Sequence, residues 1–170
     1  MLKFLFGGLT ADISSGAALF DALTDQSRRP HWYLEGAIPD TLDGRFAVLA
    51  TIAAITMVRL ESEGDAGIRA SVALTERFVE VMESEHRELG IGDPTLGRTV
   101  RKLVGMLARR TDLWRAASTQ GLDGFEATRE SLFKGKVEPD ALRHCGEALK
   151  AFRQRLSATP LERLELGKFA

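Results

Sequence analysis

Residues Phe78 to Trp114 read FVEVMESEHRELGIGDPTLGRTVRKLVGMLARRTDLW. This stretch reads as two long helices joined by a tight elbow. Val79, Met82, His86 and Leu89 recur on one face of the first. Val100, Leu103, Val104, Leu107 and Trp114 recur on one face of the second. Both sets follow the helical period. Gly90 stands where a helix is closed by a residue at positive φ. Asp93 is placed to cap the second helix, with Pro94 at its first position, where the missing N–H costs nothing. So short a connection folds the helices back into an antiparallel hairpin.

Working outward, the remaining chain is also helical. Ser14 to Ser27 forms a first helix with Ala17, Phe20 and Leu23 facing inward and Ser14 or Ser15 as cap. Arg28-Arg29-Pro30 ends it, since a residue before proline is pushed out of the helical region. His31 to Leu34 forms an aromatic connector, either a lid on the core or part of a partner surface. Asp40 is placed as the cap of the next helix, with Asp43 three residues on. From Phe46 to Leu60 that helix is apolar nearly all round, which puts it inside a bundle; Gly64 closes it. Ile68, Val72, Thr75, Val79, Met82 and Leu89 form the inward stripe of a helix from Gly67 to Leu89. Shorter helices follow from Phe125 to Phe133 and from Pro139, with Leu142, Cys145, Leu149, Phe152 and Leu156 in register. Thr159-Pro160 restarts a last turn and Gly167 ends it. The expected fold is an all-α, single-domain bundle of about six to seven helices around a central antiparallel hairpin, spanning residues 14–170. Residues 1–13 form a separate N-terminal segment. Its start, Met1 to Leu9, either docks on the core or touches a membrane surface.

Composition agrees. The chain has 170 residues, 44% hydrophobic and 28% charged, with a net charge of −1. That balance supplies a core and no global field to attract nucleic acid. The single cysteine, Cys145, rules out an internal disulfide and suits a reducing compartment. The longest uncharged apolar run, between Arg45 and Arg59, is shorter than the roughly 20 residues of a membrane span.

Catalytic patterns are missing. There is no nucleophile elbow, phosphate-binding loop, dinucleotide fingerprint or zinc spacing. Glu83-x-x-His86 has the spacing of half a di-iron site, but no second such pair exists, so no metal is expected. Cys145 and His144 are neighbours on a helix and point about 100° apart. The hairpin charges are segregated. From Glu76 to Asp93 there are six acids (Glu76, Glu80, Glu83, Glu85, Glu88, Asp93) against Arg77 and Arg87; from Arg98 to Arg115 there are six bases (Arg98, Arg101, Lys102, Arg109, Arg110, Arg115) against Asp112. They either pair across the hairpin or await a partner. Glu85 and Glu88 sit at the unfavourable end of their helix dipole.

Two blocks carry a family resemblance. Trp32-Tyr33-Leu34-Glu35-Gly36-Ala37-Ile38-Pro39-Asp40-Thr41-Leu42-Asp43-Gly44-Arg45-Phe46 resembles the pattern of the ubiquinol-cytochrome c chaperone family. So does Arg87 to Asp93, followed by Gly97 and the basic Arg101-Lys102. Together they cover most of residues 15–115, and the C-terminal third matches weakly. The resemblance implies a non-enzymatic, all-helical assembly factor for the cytochrome bc1 complex, with no cofactor. It holds newly made cytochrome b, or another respiratory membrane protein, with a small helper protein or the ribosome nearby. It would work in the cytoplasm, at the inner face of the inner membrane. The candidate partner-binding residues are Trp32, Tyr33, Asp40, Thr41, Gly44, Arg45 and Phe46, with Arg87, Glu88, Gly90, Gly92, Asp93 and Gly97 at the elbow. A different reading makes the chain a helical small-ligand or haem carrier that uses His86.

Overall fold

The computed structural model describes residues 13–88, 90, 93–119 and 124–169. These form seven α-helices: α1 (Ile13–Ser27), α2 (Leu42–Glu61), α3 (Gly64–Glu88), α4 (Asp93–Thr119), α5 (Gly124–Leu132), α6 (Pro139–Ala158) and α7 (Leu161–Glu165). A 3-10 turn, Pro30–Trp32, lies between α1 and α2. The all-helical bundle expected from the sequence is present.

α2 occupies the middle, because it has no polar face to show to water. Val48, Ala50, Ile52, Ala53, Ala54, Ile55 and Leu60 are all buried, and the helix packs against α1, α3, α4, α5 and α6. Its buried Thr51 and Thr56 hydroxyls donate to the carbonyls of Ala47 and Ile52, so neither is left unsatisfied. α4 lies on one side of α2, presenting Val100, Leu107 and Trp114 inward at heptad spacing. The Trp114 indole donates to Ser131 Oγ at 3.0 Å. α1 and α3 pack together on the other side. They approach closely: a Cβ on Gly16 would come within 2.6 Å of the Ala73 carbonyl oxygen.

That approach corrects the expected stripe of α3. Its buried positions are Gly67, Ala70, Ala73, Leu74, Phe78 and Met82, and Ile68 is 53% exposed. Where the backbones come closest the small Ala73 faces Gly16, because bulk there would hold them apart, and further along Phe78 packs edge-on against Phe20 of α1.

Several helix ends sit a residue or more from their expected positions. α1 is described from Ile13 onward, so Ser14 and Ser15 lie within the helix, and the cap expected of their side chains lies outside the described residues. Thr41, not Asp40, caps α2; its side chain accepts from Gly44 N at 3.2 Å. α3 begins at Gly64 rather than Gly67. α4 is described from Asp93 onward, and the cap expected of the Asp93 side chain lies outside the described residues. Thr159 closes α6, and Pro160 stands before α7 rather than inside it. Gly90 and Gly167 both hold positive φ, 78° and 68°, as their places after helices require. The exposed carbonyls at the end of α6 find a partner in Arg59, which donates from α2 to Leu156 O and Thr159 O. Leu89, Ile91, Gly92 and the Met1–Leu9 start lie outside the described residues.

Candidate functional site

The segment between α1 and α2 is irregular yet fastened along its whole length. Trp32 is 3% exposed, and its indole donates to Gln26 O at 2.9 Å. The Tyr33 hydroxyl donates to Ser27 O at 2.7 Å, and burial pushes its pKa up. Gly36 N donates to His31 O, and Ile38 N to Trp32 O. Ile38 is buried, so the segment enters the core at Trp32 and again at Ile38. Gly36 fits because nothing larger can: a Cβ there would lie 2.5 Å from Trp32 O and 2.7 Å from Cys145 Sγ. Ala37 holds a φ of 50°, a conformation non-glycine residues rarely keep.

Between and beside these anchors, side chains point outward. Leu34 is 72% exposed and Leu42 58%. Asp40 and Arg45 form an exposed ion pair at 2.6 Å, and the Arg45 hydrogen bond holds the Asp40 carboxyl below its ordinary pKa. Asp43 pairs with Lys134, which lowers its pKa, with a smaller contribution from Lys102 on α4. Phe46 is half-buried where three helices meet, its ring 6.0 Å from Phe78 of α3 and 6.0 Å from the Arg110 guanidinium of α4. Arg110 in turn donates to Ser131 O, and burial lowers its pKa. The start of α2 and the basic arm of the hairpin are therefore one neighbourhood.

The elbow is different. It stands about 15 Å beyond Phe78, counting ten residues of α3 at the usual rise. Arg87 and Glu88 are exposed. Among the described residues no ion pair joins α3 to α4, so the segregated charges do not neutralise each other across the hairpin. The pairs that form lie elsewhere: Arg77 with Glu80 along α3, and Arg115 with Asp112 and with Glu61 of α2. Gly97 is exposed, and a Cβ there would meet nothing within 4 Å; the same holds for Gly105 two turns on. His86 Nδ1 lies 2.7 Å from Met82 O, so that nitrogen carries the proton and donates to its own helix.

Of the residues expected to meet a partner, the structure thus groups Tyr33, Asp40, Thr41, Arg45 and Phe46 around the start of α2. Trp32 and Gly44 are buried beneath them. A Gly44 Cβ would fall 1.9 Å from Pro39 O, so this glycine serves chain packing. Arg87, Glu88, Gly90 and Gly97 form the separate elbow group. The sequence did not single out Leu34 and Leu42, nor the contact between His31 Nδ1 and His144 Nε2 at 3.0 Å. Burial, then His144 and Arg29, lower the His31 pKa. Cys145, beside this pair, is buried, donates to Gly36 O and has its pKa pushed up to about 12. That is an inert thiol.

Comparison with known proteins agrees with the architecture. Among solved structures, the crystal structure of the Cbp3 homolog from Brucella abortus superposes with a TM-score of 0.76 at 21% identity. The match covers 99% of this chain and 96% of that one. At this identity the likeness establishes a shared fold. No curated protein matches. Among the described residues no helix is long and apolar enough to cross a membrane. The family model described as Ubiquinol-cytochrome C chaperone matches residues 35–170. It therefore takes in the C-terminal third, where the motifs are weak, and begins just after Trp32 and Tyr33. Matched from residue 35 to residue 170, the chain belongs to the ubiquinol-cytochrome c chaperone family, and its role is that of an assembly chaperone.

Proposed function

We propose that the client is newly made cytochrome b, received at the start of α2 before it joins the cytochrome bc1 complex. The observation that carries this reading is the fastened segment from His31 to Arg45. It presents Leu34 and Leu42 to solvent while Trp32 and Ile38 hold it to the core. A membrane protein without its neighbours offers apolar helix faces to water. A rigid surface with exposed leucines and a polar rim (Asp40, Arg45) can cover such a face without first ordering itself. The charges of α3 and α4 that stand outside the Arg77 and Arg115 ion pairs supply orientation, since complementary potentials set register more than affinity. Gly97 and Gly105 leave room for a close helix against α4. On this account the elbow residues Arg87, Glu88, Gly90, Gly92, Asp93 and Gly97 contact the polar ends of the client. The chain works at the inner face of the inner membrane, with no catalytic step.

A tagged full-length copy expressed in a deletion strain should recover cytochrome b from solubilised membranes. The deletion strain should have less assembled bc1 complex. Recovery of no respiratory-chain subunit, with normal bc1 content in the deletion strain, would reject the reading.

A further inference from the structure

Four cations line one open cavity of about 480 Å³ between the end of α1, α6 and α7: Arg29, Arg155, Arg163 and Lys168. Among the described residues no acidic side chain lines it. Among the described residues none of the four has a carboxylate within ion-pair distance. Arg155 is held in place rather than free. It donates to Gln26 Oε1 at 3.1 Å, and its guanidinium lies 5.7 Å from the centre of the Phe152 ring. The other three are exposed side chains whose heads can turn inward. Each arginine follows or ends a helix, where the dipole favours a cation. That accounts for each one singly. It does not require them to converge on one hollow, where like charges repel. The mutual effect is already visible: burial and then Arg29 lower the Arg155 pKa.

We infer that this cavity binds a phosphate group, free or as the headgroup of an anionic phospholipid. Three guanidinium forks and one ammonium match the several acceptor oxygens of a phosphate, and charge-assisted hydrogen bonds to them are the strong kind. The cations surround a hollow instead of forming a track, so one phosphate-bearing group suits it better than a nucleic-acid strand. Leu166, 59% exposed, comes next in chain to Gly167 of the cavity wall, so an exposed apolar residue adjoins the cation-lined segment in sequence. That combination suits the surface of a bilayer.

The test uses the full chain and two probes. Inorganic pyrophosphate is titrated by calorimetry. Vesicles of phosphatidylcholine, with and without phosphatidylglycerol, are used in flotation. Binding of pyrophosphate, or flotation only with phosphatidylglycerol, supports the site, and the arm that responds identifies the source. Arg29→Gln, Arg163→Gln and Lys168→Gln together should abolish that response. Arg98→Gln with Arg101→Gln on α4, outside the cavity, should leave it unchanged. Lys168→Gln alone, a surface change that leaves the fold intact, should weaken binding about tenfold, the usual loss for one charged donor. The inference is overturned if neither probe binds, if only an RNA oligomer binds, or if the α4 pair loses as much as the cavity triple.

Discussion

The connector before α2 and the elbow between α3 and α4 both carry family motif residues, yet they are built in opposite ways. In the connector most of those residues hold the chain to itself. Trp32 is buried and hydrogen-bonded, Thr41 caps α2, and Gly44 sits where a methyl group would collide with Pro39 O. At the elbow, Arg87 and Glu88 are exposed outside any ion pair among the described residues, and Gly97 faces open space. A motif is thus one pattern with two physical meanings. In one region it fixes a shape; in the other it leaves charges and space for something else.

The sharpest way to break this contrast is Trp32→Ala. Removing a buried indole should cost about 3–5 kcal/mol in chemical unfolding. Arg87→Ala should stay within the roughly 0.5 kcal/mol of ordinary surface changes. Equal losses would mean that the elbow is structural too. The glycines give the next test. Gly44→Ala should cost about 1–3 kcal/mol through overpacking against backbone. Gly97→Ala should stabilise the free chain by up to about 1 kcal/mol, because alanine is the better helix former and nothing blocks it. A loss of stability in Gly97→Ala would show that the space there is not open.

The smallest effect expected is with pH. The connector reaches α6 through His31 and His144, with Arg29 and Glu35 near the pair. The His31 pKa is lowered in the folded chain, so folding disfavours its protonation. Stability should be complete above the unfolded value near 6.5 and decline as pH falls below it, levelling off beneath the lowered folded value. Melting curves across that window should show the decline, and His31→Gln should flatten it. A wild-type chain that becomes more stable as pH falls through this window would contradict the sign.

Periodicity made α4 and α6 legible because burial and the helical repeat coincide along them, and α2 was legible because it is apolar nearly all round. Cys145, Leu149, Phe152 and Leu156 are buried as their spacing predicts. It failed where packing asks for small residues: the stripe through Ile68 gave way to Ala70 and Ala73 against Gly16. Caps slipped because adjacent Asp and Thr at 40–41 are both good caps, and Arg45 claims Asp40. The surface was less legible than the core. Leu42 shares a helical phase with Phe46 and Leu49, but as the first residue of α2 it projects beyond the packed part. Leu34 lies in a segment with no repeat to read. The His31–His144 contact joins residues 113 apart, which no local pattern reports.

On the proposed function, the connector presents Leu34 and Leu42 to a client. Leu34→Asp with Leu42→Asp, in a tagged copy expressed in place of the wild type, tests it most directly. Cytochrome b recovered from solubilised membranes is measured beside the melting temperature of the purified variant. Both leucines are exposed, so the melting temperature should hardly move while recovery of the client falls to background. Undiminished recovery from a folded double variant would contradict the account and move the client to another face of the bundle.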